Sequence, residues 1–256
     1  MIRFSGRFKA LLEVSIALVN PVTFQYLNYV NLLKYTHYIS LDVLFINTIT
    51  SFFISLVLSL QVVKEFLYLN AVHLVSSMLA VSFIRELSPV LTSIIVIGKI
   101  GSLYTSELAT MVVTEQIDSL WVLGIDPISY LILPRVIALL LILPLLNLFS
   151  LFTSFISSSF ICFILYDINP SFFFTYLFYS NIYFDFFKSF CKMIVFSLSI
   201  SIISCVWGMT TSSGSESVGL STTSSVVVSL LCIFILNFIL SYFLFDNMTS
   251  SFTFFK

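Results

Sequence analysis

The sequence predicts an all-α fold, a polytopic membrane protein with about five membrane helices, and three observations support this prediction. Apolar residues make up 59% of the 256 residues, charged residues make up only 9%, and the mean hydropathy is +1.10. A soluble domain carries about 25% charged residues. Several uncharged runs are long enough to cross a hydrocarbon core of ~30 Å as helices. The 11 basic residues do not outnumber the 12 acidic ones, so strong binding to nucleic acid is excluded as well.

Uncharged runs define the expected membrane helices. A helix needs about 20 apolar residues to cross the bilayer, and runs of this kind follow one another from Val43 to Phe245 with few charges between them. Pro144, within the third run, predicts a kink. We interpret the chain as a single domain, 1–256, with membrane helices over residues 43–65, 87–112, 130–162, 190–210 and 225–246.

The first 20 residues have the pattern of a helix that lies in the membrane interface. Basic residues at Arg3, Arg7 and Lys9 are combined with apolar residues at helical spacing. A cleaved signal peptide is the alternative interpretation, but Glu13 interrupts its apolar core. We therefore expect an N-terminal interfacial helix over residues 1–20.

The second expected span carries ionisable residues on one face and small residues on the other. A uniform helix of 100° per residue places four charges within an arc of about 140°, namely Arg85, Glu86, Lys99 and Glu107. The opposite arc carries small residues that favour close helix packing, namely Gly98, Gly101, Ser102, Thr105 and Ala109. Ionisable residues inside a membrane usually line a cavity or pair with each other, which makes this face a candidate functional site. The alternative is that Arg85 and Glu86 sit at the water interface while Lys99 and Glu107 form a structural pair.

A short amphipathic helix is predicted between the second and third spans, over residues 113–124. Apolar residues recur on one face at helical spacing, at Val113, Ile117, Leu120 and Trp121, and Glu115, Gln116 and Asp118 fill the other face. Gly124 is expected to end this helix, and Asp126 with Pro127 to begin the next span. The helix suits the docking of a partner; a solvated loop helix anchored by Trp121 is equally compatible with the pattern.

Motifs for catalysis or nucleotide binding are missing from the sequence. It contains no GxxxxGK[ST], HExxH or GxSxG, so we expect a non-enzymatic subunit that holds no ATP itself. The four cysteines and two histidines have no metal-binding spacing, and we expect no metal or other cofactor on this chain. The segment 208–229 is rich in Ser and Thr and is interpreted as a flexible loop.

The motifs of the second span and the loop helix resemble those of the MlaE-type permease family. They are RELSPVLT from Arg85, GKIG from Gly98, ELATM from Glu107, TEQIDSL from Thr114 and PR at Pro134, and weaker similarity extends over nearly the whole chain. Members of this family are membrane subunits of ABC transporters that move phospholipid between membranes. The sequence departs from the family pattern at four places, and each change keeps a small size or the same charge. These places are Ser88, Lys99, Ala109 and Ser119.

The resemblance implies roles and partners for these residues. A lipid cavity would be lined by Arg85, Glu86, Pro89, Lys99 and Glu107. A coupling helix would seat Glu115, Gln116, Asp118, Leu120 and Trp121 in an ATPase subunit, which would bind ATP and Mg²⁺. The family also implies a permease homodimer, an MCE-type substrate-binding subunit, and an N-terminus on the ATPase side of the membrane, which the balanced basic residues do not decide by themselves.

Two other functions and two locations stay open at this point. An ion-coupled secondary transporter would use Lys99 and Glu107 as its coupling site, and a non-transporting scaffold subunit would use the same spans for assembly. The composition, with 29 Phe and 12 Tyr against 7 Gly and 6 Pro, suits an AT-rich genome such as that of an organelle. We therefore expect the plastid (chloroplast) inner envelope membrane, with a bacterial inner membrane as the alternative.

Overall fold

The protein is almost entirely helical in the part of the chain that this computed structural model describes. The described residues are 11, 14, 29–69, 71–171, 174–175, 182–212 and 214–245, and no strand occurs among them. The predicted interfacial helix over residues 1–20 lies outside this part, apart from Leu11 and Val14, which are both helical.

Eight α-helices and three π-helical turns make up most of the described chain. The α-helices are α1 (Tyr29–Tyr68), α2 (Val72–Ser82), α3 (Ser88–Val96), α4 (Ser102–Val113), α5 (Gln116–Val122), α6 (Leu133–Tyr166), α7 (Ile182–Met209) and α8 (Ser215–Phe245). The π-helical turns are Phe83–Leu87, Ile97–Gly101 and Ile128–Ile132. The first two turns join α2, α3 and α4 without a break in the helical hydrogen bonding, and the third leads into α6.

Five of these stretches are long and apolar enough to cross a membrane, which confirms the predicted all-α membrane fold. They are Leu41–Tyr68, Leu74–Val113, Ile128–Tyr166, Tyr183–Met209 and Ser215–Leu244. The second, fourth and fifth stretches begin well before the expected residues 87, 190 and 225. In α7 the reason is that Asp185 and Lys192 lie on the helix, where other charged side chains pair with them. Charge therefore does not end this helix.

The polar segment interpreted as a loop is helical from Ser215 onward, so that interpretation was wrong for most of its length. Its hydroxyl groups donate to carbonyl oxygens three or four residues earlier in the same helix. Thr222 donates to the Gly219 carbonyl at 2.8 Å, and Ser229 donates to the Ser225 carbonyl at 2.7 Å. These bonds satisfy the hydroxyls without water, so a Ser- and Thr-rich sequence continues as a helix.

The chain forms two compact units. One unit comprises the described residues of Met1–Val43, Ser93–Leu143 and Ile194–Phe234. Its core contains buried apolar side chains from α4, the start of α6 and the end of α7, namely Leu108, Ala109, Val136, Leu139, Phe196 and Val206. Burial of such side chains from water or lipid requires close helix packing, which small residues on α4 and α7 permit.

The other unit comprises the described residues of Leu44–Thr92, Pro144–Met193 and Ile235–Lys256. Its apolar cluster draws on α1, α2, the first π-helical turn and α6, and includes Val63, Leu79, Phe83, Leu151 and Phe155. The rings of Phe83 and Phe155 meet edge to face with centroids 6.2 Å apart, an arrangement that the aromatic quadrupole favours.

Hydroxyl groups link α1 and α6 within this second unit. Ser51 and Thr153 share a hydrogen bond of 2.6 Å, and Ser55 bonds Ser157 one turn further along both helices. Asn47 Nδ2 donates to the Leu146 carbonyl at 2.9 Å. Small hydroxyl residues of this kind let membrane helices approach closely and hydrogen bond without charge.

Candidate functional site

Glu86 lies at the centre of a polar cluster formed by three helical segments. Its carboxylate accepts hydrogen bonds from Lys192 Nζ at 3.3 Å, Asn237 Nδ2 at 2.8 Å and Ser241 Oγ at 2.6 Å. Lys192 is on α7, whereas Asn237 and Ser241 are one turn apart on α8. The Glu86 side chain is 44% exposed, and the Lys192 side chain is 0% exposed.

Lys192 donates to a backbone carbonyl group that receives no i+4 N–H donor, because the i+4 residue is a proline. Pro89 has no N–H, so the Arg85 carbonyl lacks its i+4 partner. Lys192 Nζ donates to this carbonyl at 2.9 Å and to Ser241 Oγ at 3.0 Å, in addition to Glu86. The ammonium thus has a partner for each of its three protons. Pro89 itself is buried.

Arg85 pairs with another anion of the same unit, the buried Asp185. Its Nε and Nη2 donate to Asp185 Oδ2 at 3.0 and 2.8 Å. The Asp185 side chain is 7% exposed and that of Arg85 is 26% exposed. Two cations and two anions therefore balance in this cluster, with Lys192 and Asp185 buried and with Arg85 and Glu86 reaching its open side.

The second span is not a uniform helix, which corrects the prediction that its charges share one face. Each π-helical turn adds a residue to the turn and so rotates the residues that follow relative to those before. Such turns lie at Phe83–Leu87 and Ile97–Gly101. The proposed pair of Lys99 with Glu107 does not form: Lys99 is exposed, and Glu107 pairs with Arg135.

Arg135 and Glu107 form a third ion pair, which lies in the other unit. Arg135 Nη2 donates to Glu107 Oε2 at 3.0 Å, and Nη1 donates to the Leu131 carbonyl at 3.2 Å. The Arg135 side chain is completely buried, whereas that of Glu107 is 36% exposed. The pair links α4 to the beginning of α6.

The small residues predicted to pack against a neighbouring helix fall into two groups. Gly101, Thr105 and Ala109, spaced by four, are buried, and Thr105 Oγ1 lies 3.0 Å from the Ser204 carbonyl oxygen of α7. Gly98 is exposed and Ser102 is half-buried. The π-helical turn that contains Gly98 rotates it away from the packed face.

Gly208 on α7 is the close-packed glycine that sequence reasoning missed. A Cβ atom at this position would lie 2.7 Å from Leu108 Cβ and 3.0 Å from the Thr105 carbonyl oxygen. The first distance is shorter than carbon atoms approach each other, and the second is tighter than nearly all contacts that a Cβ atom makes. The sequence placed Gly208 in an expected loop, so its packing role was hidden.

The loop helix α5 presents an apolar surface away from the body of its unit. Ile117 is buried, but Trp121 is 59%, Val122 89% and Leu123 71% exposed. Ile117 therefore packs against the unit, whereas Trp121 does not. Glu115, Gln116 and Asp118 are exposed, and Leu120 is half-buried.

Local geometry holds both ends of this loop. Glu115, just before α5, has a left-handed backbone with φ of 59°. At the other end Gly124 has φ of 73°, and the amide of Ile125 donates to the Leu120 carbonyl at 3.0 Å, the bond that ends a helix in a Schellman motif. The carboxylate of Asp126 accepts from the Ile128 and Ser129 amides, both at 3.2 Å, which confirms its predicted capping role.

Four members of the Glu86 cluster were not predicted: Asp185, Lys192, Asn237 and Ser241. A signal for them exists in the sequence. Asp185 and Lys192 are seven residues apart, two helical turns, and Asn237 and Ser241 are four apart in an otherwise apolar run. Among the described residues, no group of three His, Cys, Asp or Glu side chains could hold a metal ion.

Helices that can cross a membrane, with ion pairs buried among them, define an integral membrane protein whose spans carry polar sites. Comparison with known proteins then identifies the family. The family model described as Permease MlaE matches residues 32–243, and the chain belongs to this family.

Relatives extend the match over most of the chain. The chain is 43% identical over 221 residues to the probable ABC transporter permease protein ycf63 of Pyropia yezoensis, covering 86% of this chain and 84% of the relative. It is 42% identical over 217 residues to the probable ABC transporter permease protein slr1045 of Synechocystis, covering 85% and 82%. Identity to the protein TRIGALACTOSYLDIACYLGLYCEROL 1, chloroplastic, of Arabidopsis thaliana is 44% over 199 residues, which cover 78% of this chain and 57% of that protein.

Proposed function

We propose that this chain is the permease subunit of an ATP-binding-cassette transporter that moves phospholipid between membranes. A separate ATPase subunit binds ATP and Mg²⁺ and drives the movement. The observation that carries this proposal is the exposed apolar end of α5, which joins two spans of a permease fold. Relatives named as ABC transporter permeases support it, as does the relative named after a glycosylated diacylglycerol.

The ATPase subunit docks on α5 in this proposal. Trp121, Val122 and Leu123 give the loop an apolar surface that water does not favour, and surfaces of this kind mark sites of protein association. The acidic and amide side chains of Glu115, Gln116 and Asp118 surround it and are exposed for polar contacts at the rim of the interface.

A substitution in this surface tests the docking. We expect Leu123→Asp to weaken binding of the ATPase subunit by about 2 kcal/mol, because it places a charge in a desolvated contact. The matched control is Leu69→Asp, since Leu69 is 72% exposed and Leu123 71% exposed. Copurification of the ATPase with each variant measures the effect. Equal recovery of the ATPase with both variants would contradict the proposed docking.

The lipid contacts the open side of the Glu86 cluster. Arg85 and Glu86 reach this side while their counter-ions are buried, so they keep a fixed geometry with little loss of conformational freedom when a headgroup binds. Pro89 maintains the cluster through the Arg85 carbonyl. Lys99 is exposed and completes the set of candidate lipid contacts, whereas Glu107 is engaged by Arg135 and is given no lipid contact in this proposal.

A photoreactive side chain at Ser82 tests the lipid contact. Ser82 is exposed and lies about one turn before Glu86, so a photoreactive residue there leaves the cluster intact. In the whole complex in phosphatidylcholine vesicles, we expect ATP hydrolysis to change lipid labelling at Ser82. Labelling at the control position Phe234, an exposed apolar residue of α8, is expected to stay constant. If ATP hydrolysis leaves lipid labelling unchanged at both positions, the result would count against a transported lipid at this site.

The remaining parts of the proposal concern assembly and location. Two permease copies form the centre of the complex, and an MCE-type subunit receives or delivers the lipid on the side opposite the ATPase. The plastid inner envelope is the proposed membrane, supported by the chloroplastic relative. The ion-coupled alternative required a Lys99–Glu107 pair, and the pairing of Glu107 with Arg135 argues against it.

A further inference from the structure

A buried arginine, Arg135, joins α4 to α6, the two helices on either side of the loop that contains α5. Arg135, near the start of α6, contacts α4 at two residues. Its Nη2 donates to Glu107 at 3.0 Å, and its guanidinium carbon lies 5.8 Å from the centroid of the Tyr104 ring. In return, Tyr104 Oη donates to the Arg135 carbonyl at 3.3 Å. The side chain of Arg135 is completely buried, whereas that of Glu107 is 36% exposed, so water and lipid reach only the carboxylate end of the pair.

The contact between Arg135 and Glu107 lies at a similar distance from each end of the loop. Glu107 precedes Glu115 by eight residues, and Arg135 follows Pro127 by eight residues. At a rise of 1.5 Å per residue, each partner is about 12 Å along its helix from the loop. A displacement of α5 therefore reaches α4 and α6 before it reaches the ion pair.

The loop itself cannot hold these two helices together. In α5, Ile117 is buried, but Trp121, Val122 and Leu123 point outward. Its ends are fixed to α4 and to the start of the third span mainly by local hydrogen bonds. A force on α5 could thus bend one helix alone, unless a contact above the loop joins α4 to α6.

We infer that Arg135 is a positioning residue for energy coupling, which makes α4 and α6 move as one body when the ATPase subunit displaces α5. This inference rests on the proposed function. Without the contacts of Arg135, movement of α5 separates α4 from α6 instead of moving both helices together. ATP hydrolysis then continues, but fewer lipid molecules are moved for each ATP consumed.

The test measures the number of phospholipid molecules transferred per ATP hydrolysed by the whole complex in phosphatidylcholine proteoliposomes. The main variant is Glu107→Gln combined with Arg135→Met, because removing both charges together avoids a lone buried charge. We expect the complex to assemble and hydrolyse ATP while the ratio falls roughly tenfold. Lys64→Met, at an exposed lysine of α1, is the control and is expected to leave the ratio unchanged.

A second variant exchanges the partners, Glu107→Arg with Arg135→Glu, and is expected to recover part of the lost ratio because it restores opposite charges. The inference is overturned if the neutral double variant keeps the wild-type ratio. It is also overturned if both double variants fail to assemble, because the pair would then serve folding alone. Absence of ATP-driven transfer by the wild-type complex would overturn the proposed function itself.

Discussion

Replacing Lys192 with methionine is expected to destabilise the protein by about 1–3 kcal/mol, because buried polar groups lose the donor that satisfies them. Lys192 donates to the Arg85 carbonyl, to Glu86 and to Ser241. Methionine fills a similar volume but donates nothing. The carbonyl that Pro89 leaves without its i+4 donor then loses Lys192 as well, and Glu86 loses its cation.

Thermal and denaturant unfolding of the purified chain in detergent measure this loss. Combining Glu86→Gln with Lys192→Met removes both charges, so we expect it to recover part of the stability, since no carboxylate is left uncompensated. Lys64→Met is the control, because Lys64 is exposed and its replacement is expected to have little effect. An unfolding midpoint of Lys192→Met equal to that of the wild type would show that the cluster does not stabilise the fold.

Replacing Gly208 with valine is expected to cost at least about 3 kcal/mol, at the upper end of the range for overpacked cores. The Cβ alone would lie 2.7 Å from Leu108 Cβ and 3.0 Å from the Thr105 carbonyl oxygen. Both neighbours belong to the packed face of α4, and one of the two atoms is backbone, so no side-chain rotation relieves the contact. Helices α4 and α7 must separate to accommodate the change.

Gly219→Val provides the matched control for this prediction. Gly219 also lies in a helix, α8, and a Cβ there would meet no atom within 4 Å. Because valine is at least as good a helix former as glycine, Gly219→Val is expected to be neutral or slightly stabilising. The two variants are compared by thermal unfolding in the same detergent. Equal stability of both would mean that α4 and α7 pack less tightly than the contact distances indicate.

The π-helical turns explain why the helical-wheel prediction failed while the prediction of a span succeeded. The hydropathy of Leu74–Val113 is a property of its composition and is insensitive to the phase of the helix. The direction of the Glu107 side chain relative to that of Arg85, by contrast, can be predicted only if every residue rotates the helix by 100°. Two π-helical turns in this span break that regular rotation, so the wheel does not give the directions of these side chains.

The partners of the predicted charges could not be found from local patterns. The expected fourth span began at residue 190 and so left out Asp185, because an unpaired charge is costly in a membrane. Pairing of Asp185 with Arg85 and of Lys192 with Glu86 removes that cost, and these partners lie about 100 residues away in sequence. The end of the loop helix at Gly124 and the capping by Asp126 were predictable, since both depend on neighbouring residues only.

The sequence by itself determined the membrane class, the number of spans, the loop helix and the motifs of the permease family. These features depend on composition and on spacing along the chain, which folding does not alter. The tertiary structure alone decided that Glu86 pairs with Lys192, that Glu107 pairs with Arg135, and that Gly208 permits α4 and α7 to pack closely. Each of these contacts joins helices distant in sequence, and each depends on helix phase, which backbone irregularities such as the π-helical turns shift without a clear sequence signal.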